Sequence, residues 1–275
     1  MYSITMFRWG ASLAVVSALI PVPIDATPAC TWAEGTGTVA ADTLTPGEAK
    51  QLALRQARAM AIMQATGVEV RSQTVVKDFM LAADFIKTLV HGYIRTEQIV
   101  RWEQEKYQPA QNEAPIPIFR VHLRACVLPR AAMHDRGFVV RAELNKPVYV
   151  PGDKGTLRVT SSRRAQVAIF NLTADDRVRP YMGQPGIGPP LFLEPGEGQT
   201  FPPRGVSLVM ELPPGHARTA EAFILVTTKA EDQVALPIPM GAHDSLSLTE
   251  FYAGVGSIDA DVVETIVPYS IIGKP

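Results

Sequence analysis

The sequence has little charge, few aromatic residues and almost no cysteine. Of its 275 residues, 19% are charged and 7% are aromatic, and 26 Lys and Arg oppose 27 Asp and Glu to give a formal net charge of -1. This balance argues against broad binding of nucleic acid, which needs a basic face. Because 47% of the residues are hydrophobic, the chain can bury a core and is not disordered. The 23 prolines indicate many turns and edge strands.

Long apolar runs are also scarce, and the one that occurs lies at the start of the chain. Arg8 precedes an apolar run over residues 10–20, which is too short for a membrane helix of roughly 20 residues. A secretory signal peptide is therefore predicted over residues 1–26, with cleavage after Ala26 or, as a second choice, after Ala29. No later stretch can cross a bilayer, so an exported, periplasmic protein without a transmembrane span is expected. Association with the outer membrane is left open.

Cys30 and Cys126 are the only two cysteines. In an oxidising compartment, a disulfide between them is the favoured interpretation, and a loop of that length is worth about 4 to 5 kcal/mol in the chain-entropy model. The alternative is lipidation of Cys30, as in bacterial lipoproteins. The preceding Thr27, Pro28 and Ala29 match the lipoprotein processing pattern poorly. The two alternatives exclude each other, because a thioether sulfur cannot also form a disulfide.

Residues 30–130 show a mixed pattern of helix and strand. Thr45 and Glu48 form a capping box around Pro46, and Gly67 supplies a left-handed stop, so a helix is predicted between them. Small side chains recur every four residues along this helix, which favours close packing on a sheet. These residues are Ala49, Ala53, Ala57, Ala61 and Ala65.

The other segments of this module are predicted as strands and one short helix. Residues 68–72 alternate like a strand and lead into an apolar run over residues 74–76, and residues 79–90 are predicted as a short helix. The clearest strand covers residues 119–127, with apolar and polar side chains on opposite faces. His122 lies on the polar face, which is most simply a solvated face because metal-binding partners are absent nearby in the sequence.

Several polar and glycine positions have simple structural interpretations. Arg55 and Arg58 fall on the side of the predicted helix away from the alanines. Gly35 and Gly37 indicate a flexible strand rather than a dinucleotide-binding loop, because a third glycine and a helix start at the required spacing are missing. Asp176, the second of two consecutive aspartates, is a turn signal.

The motifs of this module resemble a bacterial envelope family. They are the glycine-rich stretch at 32–37, the Ala- and Arg-rich helix over 49–67, the His-Gly-Tyr-Ile turn at 91–94 and the strand ending at Val127. The region, about residues 31–128, resembles the small outer-membrane lipoproteins, a family that also includes the N-terminal domain of the flagellar assembly protein T. The resemblance implies an envelope structure and not catalysis.

From residue 138 to residue 275 the pattern becomes all-β. Short apolar segments separated by Gly- and Pro-rich turns predict an antiparallel sandwich. Ser247 and Glu250 form a second capping box, which predicts a short helix stopped by Gly254, and residues 264–272 are expected to form a last strand. The predicted fold class is α+β: a small domain with a helix packed on a short antiparallel sheet, followed by a β-sandwich domain with a short C-terminal helix.

Three segments of the second module resemble a bacterial domain of unknown function. They are residues 149–153, the strand over 167–171 and the turn at 212–215. The resemblance covers about residues 138–270. The domain is often fused to caspase-like, kinase or lipoprotein-type modules, which implies an accessory β-sandwich.

Motifs that carry chemistry are missing from the sequence. None of the five histidines has a His, Cys or carboxylate partner at metal-binding spacing, and no Gly-x-Ser-x-Gly motif occurs. Cys126 lies in a predicted strand, where a disulfide is expected rather than a nucleophile. The glycines between residues 183 and 188 lack the lysine and helix of a phosphate loop. No catalytic, cofactor-binding or metal-binding residue is therefore predicted, and the chain is not expected to be an enzyme.

Two functional hypotheses follow. In the first, this is a non-catalytic cell-envelope protein that acts as a structural or adaptor module and binds envelope proteins at the outer membrane or the cell wall. In the second, it is a secreted enzyme, or a protein that binds a small ligand or the cell wall, with its site between the two domains. The second hypothesis predicts a deep cleft with convergent polar groups. The oligomeric state is left open.

Overall fold

A computed structural model describes most of the chain after the predicted signal peptide. The described residues are 30–68, 85–86, 88–89, 91–129, 137–183, 187–232, 245–258 and 260–273. The predicted signal peptide, both of its cleavage sites and nearly all of the strand segments at 68–76 lie outside them. We call residues 30–129 the N-terminal module and residues 137–273 the C-terminal module. The described structure is mixed α+β and mostly β, with few helices.

The N-terminal module is a helix on a three-stranded antiparallel sheet. Its strand order is β1-β3-β2. The elements are β1 (Thr31–Ala40), α1 (Pro46–Thr66), β2 (Gly92–Tyr107) and β3 (Ile116–Pro129). The apolar residues predicted to share one face of β3 are all buried under α1. Of the helix predicted over residues 79–90, the described Phe85, Ile86 and Thr88 are helical.

The ends of α1 confirm the predicted capping. The Thr45 hydroxyl accepts a hydrogen bond from the Glu48 amide, and the Glu48 carboxylate accepts one from the Thr45 amide at 2.8 Å. Gly67 has a φ of 69°, the left-handed conformation that glycine adopts without a steric cost. The capping box and Gly67 each lie within four residues of the end of α1 that they define.

Close contact between α1 and β1 depends on glycine. A Cβ atom on Gly35 would collide with the carbonyl oxygen of Ala57, and one on Gly37 would collide with that of Ala53. The helix therefore lies with its alanine ridge directly on the strand. The strand prediction for these glycines is confirmed, but they provide close approach of two backbones and not flexibility.

The C-terminal module consists of one large sheet and two small ones. The large sheet has the order β14-β9-β8-β13-β15-β5, with β10 also paired to β8, and the small sheets are β11-β7-β4 and β12-β6. All pairs are antiparallel except β5 with β15. The strands are β4 (Val140–Leu144), β5 (Val148–Tyr149), β6 (Lys154–Gly155), β7 (Leu157–Ser161), β8 (Ala165–Leu172), β9 (Arg177–Met182), β10 (Leu191–Leu193), β11 (Gln199–Phe201), β12 (Leu208–Val209), β13 (Arg218–Lys229), β14 (Leu246–Ser247) and β15 (Val263–Ile272).

The large sheet is covered on both faces. On one face, Phe223 and Leu225 of β13 pack into a core shared with the small sheets. On the other face, Ile224 and Val226 belong to the core of the N-terminal module. Because both faces of β13 are buried, the middle of the strand, residues 222–226, is a continuous apolar run rather than an alternating one. The two modules therefore share one hydrophobic cluster.

The tail helix α2 (Leu248–Gly256) joins the same cluster. Its capping box at Ser247 and Glu250 is confirmed. The prediction that Gly254 stops it was wrong, because the helix continues to Gly256 and Ser257 is its C-cap. Phe251 packs edge-on against Phe170 of the large sheet, with 4.8 Å between ring centroids. The following strand, β15, confirms the predicted last strand.

No helix in the described ranges is long and apolar enough to cross a membrane.

Candidate functional site

Charged side chains converge where the two modules meet. Asp176, in the turn between β8 and β9, accepts hydrogen bonds from Arg55 Nε at 2.6 Å, Arg58 Nη1 at 2.7 Å and Gln51 Nε2 at 2.6 Å. Arg58 also binds both carboxylate oxygens of Glu97 on β2, at 2.5 and 2.8 Å. We call these five residues the junction cluster.

Local geometry explains how the cluster forms. Gln51, Arg55 and Arg58 lie at i, i+4 and i+7 on α1, so they share one side of the helix. The predicted turn places Asp176 opposite them, in the left-handed conformation with a φ of 59° that aspartate tolerates better than most residues. The Asp176 amide donates to the Thr173 carbonyl at 3.1 Å, which closes the turn.

The donors of the cluster are used within the protein. Arg55 has a side chain only 3% exposed, and besides Asp176 it donates to the carbonyl oxygens of Ala220, Thr173 and Ala174 at 2.9 to 3.1 Å. Burial lowers the pKa of Arg58, but its hydrogen bond to Glu97 and the charge of Asp176 outweigh burial and leave the pKa raised. The cluster therefore acts as a clamp between α1, β2 and the β8–β9 turn.

Open clefts lie on either side of this clamp. One is lined by Leu52, Glu48 and His216 among others, and the second lies beside Tyr252. In the first cleft, one Glu48 oxygen caps α1 and the other lies 3.9 Å from His216 Nε2. Both clefts lie between the modules, where the ligand-binding hypothesis places its site. Of the polar groups of the first cleft, Glu48 caps α1, and Gln51 and Arg55 bind Asp176.

Sequence reasoning missed the junction cluster. Arg55 and Asp176 are separated by 121 positions, so no local pattern connects them. The predicted placement of Arg55 away from the alanine ridge is correct. That side of the helix is not solvated, because the C-terminal module covers it. Two arginines on one side of an alanine-rich helix were the only available signal.

A second buried polar group lies inside the sandwich-like core. Glu221 of β13, Asn171 of β8 and Tyr269 of β15 form a triangle. The Tyr269 Oη lies 2.7 Å from Glu221 Oε2 and 3.0 Å from Asn171 Oδ1, and Asn171 Nδ2 lies 3.2 Å from Glu221 Oε2. The Tyr269 hydroxyl has one hydrogen and two oxygen neighbours, Glu221 Oε2 and Asn171 Oδ1. If Glu221 is ionised, Tyr269 can donate to only one of them, and the other contact has no hydrogen. If Glu221 is protonated, it donates to Tyr269 Oη, and Tyr269 then donates to Asn171 Oδ1. Each contact of the triangle is then a hydrogen bond, so the geometry fits the protonated acid.

The stability of a Glu221→Gln variant relative to the wild type is expected to rise as the pH is raised from 4 to 8. Burial raises the pKa of Glu221, although hydrogen bonds from Tyr269 and Asn171 and the charge of Arg55 offset part of the effect. For a raised pKa, the stability that the acid contributes is complete below its ordinary pKa and is lost as the pH rises through the folded-state pKa. The glutamine variant does not titrate, so its urea midpoint should gain on that of the wild type as the pH rises.

The exposed Glu194 provides the control for that comparison. Glu194→Gln removes a carboxylate that is about half exposed and should change stability little at either pH. A stability difference between Glu221→Gln and the wild type that stays the same from pH 4 to pH 8 would show that the pKa of Glu221 is not raised in the triangle.

The face of the N-terminal sheet opposite α1 is uncovered in the described part of the chain. We call it the open face. Glu103 accepts from Arg101 Nε at 2.7 Å and Arg120 Nη1 at 3.3 Å, and the Arg124 guanidinium lies 5.0 Å from the Trp32 ring. Desolvation raises the pKa of Glu103, but the neighbouring cations Arg101 and Arg120 lower it below its ordinary value. The open face thus carries alternating charges held in fixed positions.

His122 lies among these charged side chains of the open face. Its Nδ1 is 3.2 Å from Thr36 Oγ1, and its Nε2 is 3.6 Å from Glu103 Oε1. The predicted polar face is confirmed, although His122 is half-buried among these neighbours. Among the described residues, no group of three or more His, Cys, Asp or Glu side chains could hold a metal ion.

Cys30 and Cys126 are brought together by β-sheet register. Thr31 pairs with Val127 and Trp32 with Cys126, so the start of β1 lies beside the end of β3. The two cysteines lie at disulfide-bonding distance, with Cα atoms 5.3 Å apart. The pair ties the first described residue to the central strand of the N-terminal sheet.

No protein-family model and no curated protein matches this chain. The surfaces described above are therefore the basis on which we infer its function. The junction cluster uses its polar groups internally, whereas the open face presents its groups outwards.

Proposed function

We propose that this chain is a non-catalytic, exported protein of the bacterial cell envelope that acts as a structural or protein-interaction module. The observation that carries the proposal is the open face. It lies on a sheet whose other face is fixed by α1 and the shared core. It combines ordered charges with an exposed Trp32, a composition that suits a protein partner.

Export is part of the same proposal. A cysteine pair at disulfide-bonding distance suits an oxidising compartment such as the periplasm. The predicted signal peptide over residues 1–26 and the resemblance of residues 31–128 to envelope lipoproteins support the same location. The division into an envelope domain over 30–130 and an accessory sandwich over 138–275 also belongs to the proposal.

We expect a charge reversal on the open face to weaken the binding of a partner protein. The tagged wild-type chain, cross-linked mildly in the periplasm, should recover the same envelope protein in repeated experiments. Arg124→Glu should lower that recovery by about tenfold, because it places a negative charge beside Trp32 without disturbing buried groups. Quantitative mass spectrometry of the recovered proteins measures the change.

Arg164→Glu is the matched control. Arg164 lies over the Phe192 ring at 5.7 Å, so it repeats the arginine-on-aromatic arrangement on the C-terminal module. This variant should retain the partner. An equal loss with both variants, or recovery of no partner by the wild type, would contradict the proposal.

A further inference from the structure

The outer edge of β2 is unpaired in the part of the chain that the structure describes. β2 bonds to β3 on one side, and no described strand bonds to its other side. It is 16 residues long and exposed from its middle to its end. An exposed edge of this length presents free amide and carbonyl groups to another strand.

Apolar side chains lie along this edge. Val100 is 60% exposed and Trp102 is 39% exposed, and Ile99 and Tyr107 are also exposed. Ile99 pairs with Leu123 and Trp102 with Val121, so both lie on the face of the sheet that carries α1. The helix packs mainly on β1 and β3, and it leaves these side chains of β2 open. Natural edge strands normally avoid such a row.

Between Arg101 and Gln104, the charges of β2 favour one way of pairing the strand with itself. In an antiparallel pair about a two-fold axis normal to the sheet, the residue at the axis faces its own copy. An axis at Arg101 opposes two arginines, and an axis at Glu103 opposes two glutamates. An axis at Gln104 places Glu103 opposite the partner's Glu105. An axis at Trp102 instead places Arg101 opposite the partner's Glu103, twice by symmetry.

A β-bulge lies next to Trp102, and it sets which of the remaining residues of the two strands face each other. The β2–β3 register shifts between Ile99 and Arg101, so residues before the bulge move by one position. Ile99 then faces the partner's Gln104, and Glu97 faces the partner's Lys106. No like charges oppose each other over this stretch, and Trp102 meets the partner's Trp102 on the helix-bearing face.

We propose that β2 pairs with β2 of a second copy of this chain, antiparallel and centred on Trp102. The two N-terminal sheets then form one six-stranded sheet. Since the axis is normal to the sheet, both open faces lie on the same side and make one larger surface. The tail helix contacts the first part of β2, as in the Tyr93–Tyr252 stack with ring centroids 4.8 Å apart, and the strand is exposed around Trp102 and beyond it.

Cysteine cross-linking tests the register in purified full-length mature protein. In the proposed pair, the two Trp102 Cα atoms are about 5 Å apart, within reach of a disulfide, so Trp102→Cys should give a covalent dimer on mild oxidation. Gln104→Cys places its two sulfurs about 13 Å apart along the strands and should stay monomeric on a denaturing, non-reducing gel. Cross-linking through Gln104→Cys in place of Trp102→Cys would overturn the proposed register.

Sedimentation equilibrium tests the association itself. The wild type should be dimeric at about 100 μM, and Trp102→Lys should weaken the dimer by about 30-fold. Trp32→Lys is the control, because Trp32 is 49% exposed at the other edge of the same sheet, and it should leave the dimer intact. A wild-type monomer at that concentration would refute the dimer, whether the edge is covered by another part of the chain or by a different protein. Since only purified protein is used, this result is independent of partner recovery by the open face.

Discussion

Replacement of Arg55 by alanine is expected to lower the free energy of unfolding by about 3 to 5 kcal/mol. The Arg55–Asp176 pair is almost completely buried, with side chains 3% and 7% exposed. Removing the guanidinium leaves Asp176 with fewer charge partners. It also leaves the carbonyl oxygens of Ala220, Thr173 and Ala174 without this donor. A buried acceptor without a partner costs more than the hydrogen bond contributes when it is made.

Urea unfolding measures this loss, and an exposed ion pair provides the control. Arg164 binds Glu194 at 3.1 Å, but their side chains are 64% and 51% exposed. Arg164→Ala should therefore change stability by less than about 0.5 kcal/mol. If both variants lost the same small amount, the junction cluster would not be the clamp that its burial indicates.

Removal of both cysteines is expected to cost about 4 to 5 kcal/mol. Cys30 and Cys126 are separated by 96 positions, so their bond closes a long loop and restricts the unfolded chain strongly. Alanine suits the buried Cys126, because it introduces no polar group there. The measurement is the urea midpoint of the Cys30→Ala/Cys126→Ala variant against the oxidised wild type.

Reduced wild-type protein is the control for the cysteine variant. With the disulfide opened, the wild type should unfold at nearly the same urea concentration as the double variant. Equal stability of the double variant and the oxidised wild type would contradict the bond. Mass spectrometry of the mature N-terminus then separates a free thiol from the lipidated Cys30 considered from the sequence.

The features predicted correctly from the sequence are those encoded over a few residues. The two capping boxes, at Thr45 and Ser247, and the left-handed Gly67 depend on contacts within four positions. The alternation of β3 is also a local pattern. Gly254 was misinterpreted because a glycine in the last turn can remain helical when its neighbours, Phe251 and Tyr252, are anchored in a core.

The features that were missed depend on distant segments meeting. β13 is covered on both faces because the N-terminal module packs on the large sheet. This packing cannot be predicted from any short stretch of sequence. The partner of Arg55 could not be chosen among 27 acidic residues without the turn at Asp176. Likewise, the glycines of β1 are explained only by the backbone of α1, which lies directly on them.

We infer that the two modules form one folding unit held by the shared core and the junction cluster. Tryptophan occurs after the predicted signal peptide only at Trp32 and Trp102, so tryptophan fluorescence reports the N-terminal module alone. Circular dichroism of the strands reports both modules, because most strands lie after residue 137. The most direct measurement is urea unfolding followed by both signals on one sample. We predict coincident transitions with a single midpoint, whereas two separated midpoints would show that the modules unfold independently and contradict the account.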